Sequence, residues 1–524
     1  MSAVEDLKQR LGIIADLDAT AAVLGWDQET YMPPGAIEAR AEQLTTLARL
    51  SHEKFTDEEI GRLLEAAATE LDGTSFDVGN PAFDSDDASL VRVATRDWKR
   101  ATKIPADLVA RLAHASSLGQ QAWQQAREVS DFSVFKSHLE AIVELTGEKA
   151  EALGYKDRIY DPLLAEFEPG ISTAEIESLF TTLRERLIPI VQELTEETSS
   201  GGITDYESPP TAQSQIALPP LDRSFDEAAQ WDFGVAVIKD FGFDFKHGRQ
   251  DRSAHPFTTA FSVADVRLTT RIHEDFLPAG LFGTLHECGH GLYEQGFAPE
   301  LARTPLADGA SLGLHESQSR LWEILIGRSR PFWTHYFPKL SESFPKTLDG
   351  IDPDAFYRAI NVVRPTLIRV ESDEVTYNLH IMLRFEIENA LLEGRVVVED
   401  LPDVWNDGME RYLGIVPDSD ANGVLQDIHW SMGAIGYFPT YTLGNLMSSQ
   451  IFTRLREDIP DLDEQTASGR FGQLLSWLRE NIHRHGRKFT ASELLDRLDC
   501  GALSADPWLE HIRTKYSELS GKNL

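Results

Sequence analysis

From the first residues to about position 195, apolar side chains recur at intervals of three and four, as in VEDLKQRLGIIADLDATAAVL (4–24) and AEQLTTLARL (41–50). That is the period of amphipathic helices, and it predicts an N-terminal helical arm over 1–195. Turn chemistry interrupts it at YMPPGA (31–36), at LDGTSFDVGNPAFDSDDAS (71–89) and at YDPLLAEFEPGIS (160–172). From 197 to 224, ETSSGGITDYESPPTAQSQIALPPLDRS is rich in Ser, Gly and Pro and has no helical period, so it reads as a long connection or flap. Between 243 and 270 Thr, Val and Phe alternate with polar residues, which predicts a small β-sheet. Helical spacing resumes at Pro278. The expected architecture is mainly α: an arm over 1–195 and a catalytic region over 196–524 within one continuous fold.

Composition narrows the partners. The 524 residues carry 85 acidic and 49 basic side chains, a formal charge of -36. Such a chain repels polyphosphate and anionic lipid, which excludes nucleic acid and membrane surfaces as expected partners. Two cysteines, Cys288 and Cys500, are too few for a disulfide framework. The start, MSAVEDLKQRLG, is acidic where a signal peptide is basic, and no apolar run reaches the length of a membrane span. A cytoplasmic, soluble protein is expected.

One segment carries chemistry. PAGLFGTLHECGHGLYEQG (278–296) places His286-Glu287-Cys288-Gly289-His290 between a Pro that suits a helix start and a Gly that suits a helix end. Histidines four apart share a helix face and can present two imidazole nitrogens to one metal, with Glu287 as a base beside the open coordination position. Leu281, Leu285, Cys288 and Leu292 fall on another side, so Cys288 reads as packing. A catalytic zinc takes a third protein ligand. DGASLGLHESQSRLWEILIG (308–327) reads as a second helix holding His315 and Glu316 side by side, about 100° apart, and spacing alone does not choose between them.

Six segments, HPF (255–257), DVRLT (265–269), HECGH (286–290), HESQ (315–318), IRVESD (368–373) and GVLQDIHW (423–430), resemble in order the motifs of the carboxypeptidase Taq family of metallocarboxypeptidases, and the similarity extends to WDQETYMPPGA near the start. The resemblance implies Glu316 as third ligand beside His286 and His290, a mostly helical fold with a deep groove, and a homodimer. It implies a metal-dependent carboxypeptidase that releases single amino acids from peptides with a free C-terminus, Glu287 acting as general base. Zinc, one ion per subunit, is the default for a His, His, Glu set, and cobalt or manganese suit the same ligands. Cys288, where the family has a small residue, and the Asp-rich stretch near 75–88 depart from its pattern.

An exopeptidase must also hold a terminal carboxylate and stabilise an oxyanion. Arg369 in IRVESD and Arg267 in DVRLT are the candidate carboxylate clamps, Arg369 ahead of Arg267. His429, followed by Tyr437 and Tyr441, is the candidate source of oxyanion donors, and His255 is a further substrate contact. Gln426 and Asp427 read as groups that orient their neighbours. Two rivals remain: an endo-acting zinc oligopeptidase of similar helical fold, and a peptide-binding protein that keeps a metal for stability.

The charge of -36 leads to a prediction about salt. If carboxylate repulsion strains the folded surface, screening relieves it, and the thermal unfolding midpoint is expected to hold or rise from low to molar KCl. A midpoint that falls with KCl would reduce the acidic surface to a solubility feature.

Overall fold

The computed structural model describes residues 2–71, 76, 78–200, 221 and 223–524. Helices dominate, as the spacing predicts, and run through the N-terminal part as Ala3–Thr30, Ile37–Phe55, Glu58–Glu70, Asp86–Lys103, Ala106–Val129, Ser133–Leu153 and Thr173–Ser200. Ser2 caps the first by accepting from the Glu5 N–H, and its Val4, Leu7, Leu11 and Ile14 stripe packs on Ile60, Leu64, Leu90 and Val91.

Two expectations differ. The stretch 160–172, expected as a break, holds a short helix, Asp161–Phe167: Pro162 sits in its first turn, where a missing N–H costs nothing, and Pro162, Leu163 and Leu164 are buried. The connection expected over 197–224 begins later, because the preceding helix continues to Ser200. The rest of it, 201–220 and 222, lies outside the described residues.

The chain groups into two compact units, each assembled from three stretches: Met1–Thr102, Gln215–Ile360 and Ile451–Gly501 in the first, and Lys103–Ser214, Asn361–Gln450 and Ala502–Leu524 in the second. Residues 1–195 and 196–524 thus each contribute to both.

In the first unit a three-stranded sheet, β1 (Gly248–Arg252), β2 (Thr258–Ser262) and β3 (Asp265–Thr270), has the order β1-β3-β2, with β1 parallel and β2 antiparallel to β3. Alternation along β3 turns Val266, Leu268 and Thr270 towards helix Leu277–Glu294. Leu268 is buried there, and Thr270 donates to the Gly280 carbonyl. Gly291 lets the helix settle on the sheet, since a Cβ would stand 2.7 Å from Leu268 Cδ2 and 2.9 Å from the Phe243 ring.

That helix starts at Leu277, with Pro278 in its first turn as the spacing predicts, but it is capped by Gln295, and Gly296 is not left-handed. Gly296 serves close approach instead: a Cβ would lie 2.5 Å from His483 Cβ. The next helix, Leu312–Arg320, begins where the Ser311 hydroxyl accepts from the Leu314 N–H, and it widens into a π-helix over Leu321–Ile326.

In the second unit helix Tyr377–Leu392 is buried almost all round, yet carries His380, Arg384 and Glu388 at intervals of four, all fully buried. Such a polar stripe inside a core is costly unless partners satisfy it, as they do for Arg384 and Glu388. Among the described residues no helix is long and apolar enough to cross a membrane.

Candidate active site

The first unit brings His286, His290 and Glu316 together. Both histidine Nε2 atoms lie 3.5 Å from Glu316 Oε2. Tetrahedral zinc with bonds of about 2.0–2.1 Å has ligand atoms about 3.4 Å apart, close to these two separations, and all three donor atoms lie within 4.8 Å of one another. A close contact places Glu316: at Gly289 a Cβ would stand 2.6 Å from Ser319 Cα and 2.7 Å from the Gln318 carbonyl oxygen. Only hydrogen fits between the two helices there.

Each ligand has an outer partner. His286 Nδ1 donates to Glu323 Oε2 at 2.9 Å, which turns Nε2 towards the cluster. For His290 the support is a relay: Glu294 Oε1 accepts from His315 Nε2–H at 2.8 Å, His315 Nδ1 accepts from His290 Nδ1–H at 2.6 Å, and His290 Nε2 is again the atom turned to the cluster. Arg320 Nε donates to Glu316 Oε1 at 2.7 Å, so Oε2 is the oxygen turned to the histidines. Ser319 donates to the Glu316 carbonyl at 2.6 Å, its hydroxyl 3.1 Å from Oε2.

The electrostatics follow these contacts. Burial works against ionising Glu316, but Arg320, His286 and His290 outweigh it and hold the carboxyl well below the usual carboxylate range. Burial likewise opposes charge on both imidazoles, yet the two end far apart. His286, facing Glu316 and Glu323, is raised to about 9, whereas His290, whose outer neighbour is another imidazole, is lowered to about 3.

Glu287 is buried beside the ligands, and the Thr258 hydroxyl lies 2.7 Å from its Oε2 and 2.9 Å from its carbonyl oxygen. The edge strand β2 therefore fixes the rotamer of this carboxylate. Cys288 is fully buried, and burial raises its thiol well above the usual range, which is the packing role expected of it.

Two other sequence candidates of this unit have contacts of their own. Arg267 is on the face of β3 turned away from helix Leu277–Glu294; its guanidinium donates to Asp265 and stacks over Trp26 at 4.6 Å. His255 is exposed in the turn before β2, where its carbonyl accepts from Ser253.

The second unit gathers Arg369, Arg384, Gln426 and Asp427. Arg369 is 5% exposed. It donates from Nε and Nη2 to Asp427 Oδ1 at 3.1 and 2.8 Å and from Nη1 to the Tyr377 hydroxyl at 2.8 Å. Arg384 donates to Asp427 Oδ2 at 2.7 Å and to Gln426 Oε1 at 2.8 Å. Two guanidiniums thus share one carboxylate, and burial keeps the neighbouring His380 and His429 neutral, His429 at about 4. His429 Nε2 is 3.3 Å from the Tyr441 hydroxyl, and its ring lies 5.2 Å from that of Tyr437. His429 Nδ1 is buried without a hydrogen-bond partner among the described residues.

Sequence reasoning missed Arg320, Glu323, Thr258 and Arg384. Two left a trace: Arg320 is four and Glu323 seven residues beyond Glu316, one and two turns along the same face. Thr258 and Arg384 meet their partners through tertiary structure.

A family model described as Carboxypeptidase Taq (M32) metallopeptidase matches residues 6–516. Thermostable carboxypeptidase 1 of Thermus thermophilus is 40% identical over 526 residues, covering 98% of this chain and 98% of that protein. Carboxypeptidase 1 of Bacillus subtilis is 36% identical, covering 97% of this chain and 96% of its own length. The crystal structure of an M32 carboxypeptidase from Deinococcus radiodurans R1 matches with a TM-score of 0.91 at 39% identity, over 99% of this chain and 100% of that one.

The cluster's geometry makes metal binding sensitive to two substitutions. Glu316→Ala removes a donor, and Gly289→Ala pushes the donor's helix away without touching a ligand. Each is expected to weaken metal binding by roughly tenfold or more, measured by chelator competition on the purified protein. Full metal content in Glu316→Ala alongside loss in His315→Ala would transfer the third ligand to His315.

Proposed function

The chain belongs to the carboxypeptidase Taq (M32) family of metallopeptidases, and on that premise we propose that it releases single amino acids from peptide C-termini by attack of water, with Glu287 as general base. The observation that carries the reading is the convergence of His286 Nε2, His290 Nε2 and Glu316 Oε2 beside the Glu287 carboxylate. A divalent ion held by these three donors would polarise the scissile carbonyl and acidify the water beside it. Glu287 Oε1, the oxygen not held by Thr258, accepts the proton from the attacking water, and the same carboxyl returns it to the leaving amine. The two-histidine, one-carboxylate donor set favours zinc, with cobalt or manganese as substitutes.

Arg369 is assigned to the substrate's terminal carboxylate. Its cluster holds two buried guanidiniums against the single carboxylate of Asp427, and a buried charge in excess is costly until an anion meets it. Neutral His429 and the Tyr437 hydroxyl are assigned as donors to the developing oxyanion. Cys288 and Cys500 form no disulfide, which agrees with a reducing, cytoplasmic compartment. A homodimer rests on the family resemblance, and sedimentation in solution tests it.

Two substitutions test the mechanism on metal-loaded protein. Glu287→Gln keeps all three ligands and is expected to keep its metal while kcat falls by roughly 100-fold or more. Arg369→Ala leaves Asp427 paired with Arg384, so the fold is expected to persist, while kcat/KM on free-acid peptides drops at least roughly thirtyfold. C-terminally amidated peptides, poor substrates of the parent protein, are expected to change little. Were the parent indifferent to amidation, internal cleavage by an oligopeptidase would replace the exopeptidase reading.

A further inference from the structure

Glu388 lies at the end of the buried polar stripe on helix Tyr377–Leu392, and no step above uses it. It is fully buried, and its two oxygens accept three hydrogen bonds. Trp430 Nε1–H donates to Oε1 at 2.9 Å, while the Tyr160 hydroxyl and the Gly436 N–H donate to Oε2 at 2.6 and 3.1 Å. No cation among these partners offsets the burial, which raises the carboxyl to about 7. Arg384, one turn earlier on the helix, acts on it only through space.

What the three bonds hold is specific. Trp430 directly follows His429, and Gly436 directly precedes Tyr437. The chain between them makes a 3₁₀ turn over His429–Met432 and then passes through Gly433 and Gly436, both left-handed at φ 73° and 102°. At Gly436 a Cβ would also stand 2.9 Å from the Leu163 backbone. Two left-handed glycines make a segment with many alternative conformations when unanchored. One carboxylate ties both of its ends.

We propose that Glu388 is a positioning residue, whose carboxylate sets the places of His429 and Tyr437 by clamping the segment between them. The inference rests on the proposed roles of those two residues. It also accounts for a carboxylate at a site where an amide would be cheaper to bury. An amide has one acceptor oxygen and an NH₂ that accepts nothing, so glutamine satisfies Trp430 or Gly436 but not both.

The test uses Glu388→Gln in the full chain loaded with metal. At the protein concentration of folded, metal-bound sites, kcat on a free-acid peptide is expected to fall at least tenfold with KM within about twofold. Adding Trp430→Phe, which removes the donor that the amide leaves stranded, is expected to recover at least a third of that loss on a logarithmic scale, a coupling that a general loss of stability would not produce. Should Glu388→Gln fail to fold, Trp430→Phe alone keeps the proposal falsifiable: it removes one clamp bond and is expected to lower kcat at least threefold with KM held, whereas Tyr160→Phe, which spares both loop donors, is expected to stay within twofold. Unchanged kcat per folded site in Glu388→Gln, or in Trp430→Phe if only that variant folds, overturns the proposal. His429→Ala run in parallel separates the two levels. If it loses kcat while Glu388→Gln does not, Glu388 alone loses its role; if His429→Ala keeps full kcat, the assignment of His429 fails and the clamp has nothing to position.

Discussion

Where the two ligand-bearing helices meet, their backbones touch with no side chain between them. The hydrogen of Gly289 faces Ser319 Cα and the Gln318 carbonyl, at a spacing that would leave a Cβ 2.6 Å from its neighbour. Glu316 is one turn away on the second helix, so this contact sets how far its carboxylate stands from His286 and His290. Three lone pairs then converge on one point, an arrangement that is unfavourable unless a proton or a cation lies among them. The outer partners take the other atoms of each ligand: Glu323 and His315 hold the imidazole Nδ1 atoms, and Arg320 holds Glu316 Oε1. The approach of two helix backbones and the aim of three donors are one structural fact.

The second unit uses the opposite imbalance. Two guanidiniums are buried around one carboxylate, each donating to a different oxygen of Asp427. As a device for stability this is poor, since a well-packed apolar replacement costs less than an ion group short of one charge. An anion arriving there would meet positive charge that is already desolvated and whose geometry is held by Tyr377 and Gln426.

Much of this was legible in the chain. Helical periodicity is strong over long segments, and the mainly α fold with its small sheet follows from it. The pairing of His286 with His290 is legible because both residues lie on one turn of one helix. Which of His315 and Glu316 faces the two histidines was not, since they are adjacent and only the meeting of two helices turns Glu316 Oε2 towards them; family motifs supplied that expectation. Partners far apart in sequence left no local trace: Asp427 is 58 residues from Arg369 and 43 from Arg384. Gly296 had a signal that pointed elsewhere, because a glycine after a helix reads as a left-handed cap, while this one makes room for His483. The short helix at Asp161–Phe167 was hidden by the Pro that starts it.

The threading of the chain through both units has a consequence for biosynthesis. Each unit closes with a late stretch, Ile451–Gly501 in the first and Ala502–Leu524 in the second. The ribosome therefore delivers His286, His290 and Glu316 well before the segment that braces them, in which His483 fits against Gly296 and hydrogen-bonds Gln318 at 2.9 Å. The usual order for consecutive domains, in which one is fully synthesised before the next begins to emerge, is closed to this topology. The nascent chain holds all three candidate donors before Ile451–Gly501 emerges, and a truncation that removes His483 reaches their cluster although it removes none of them.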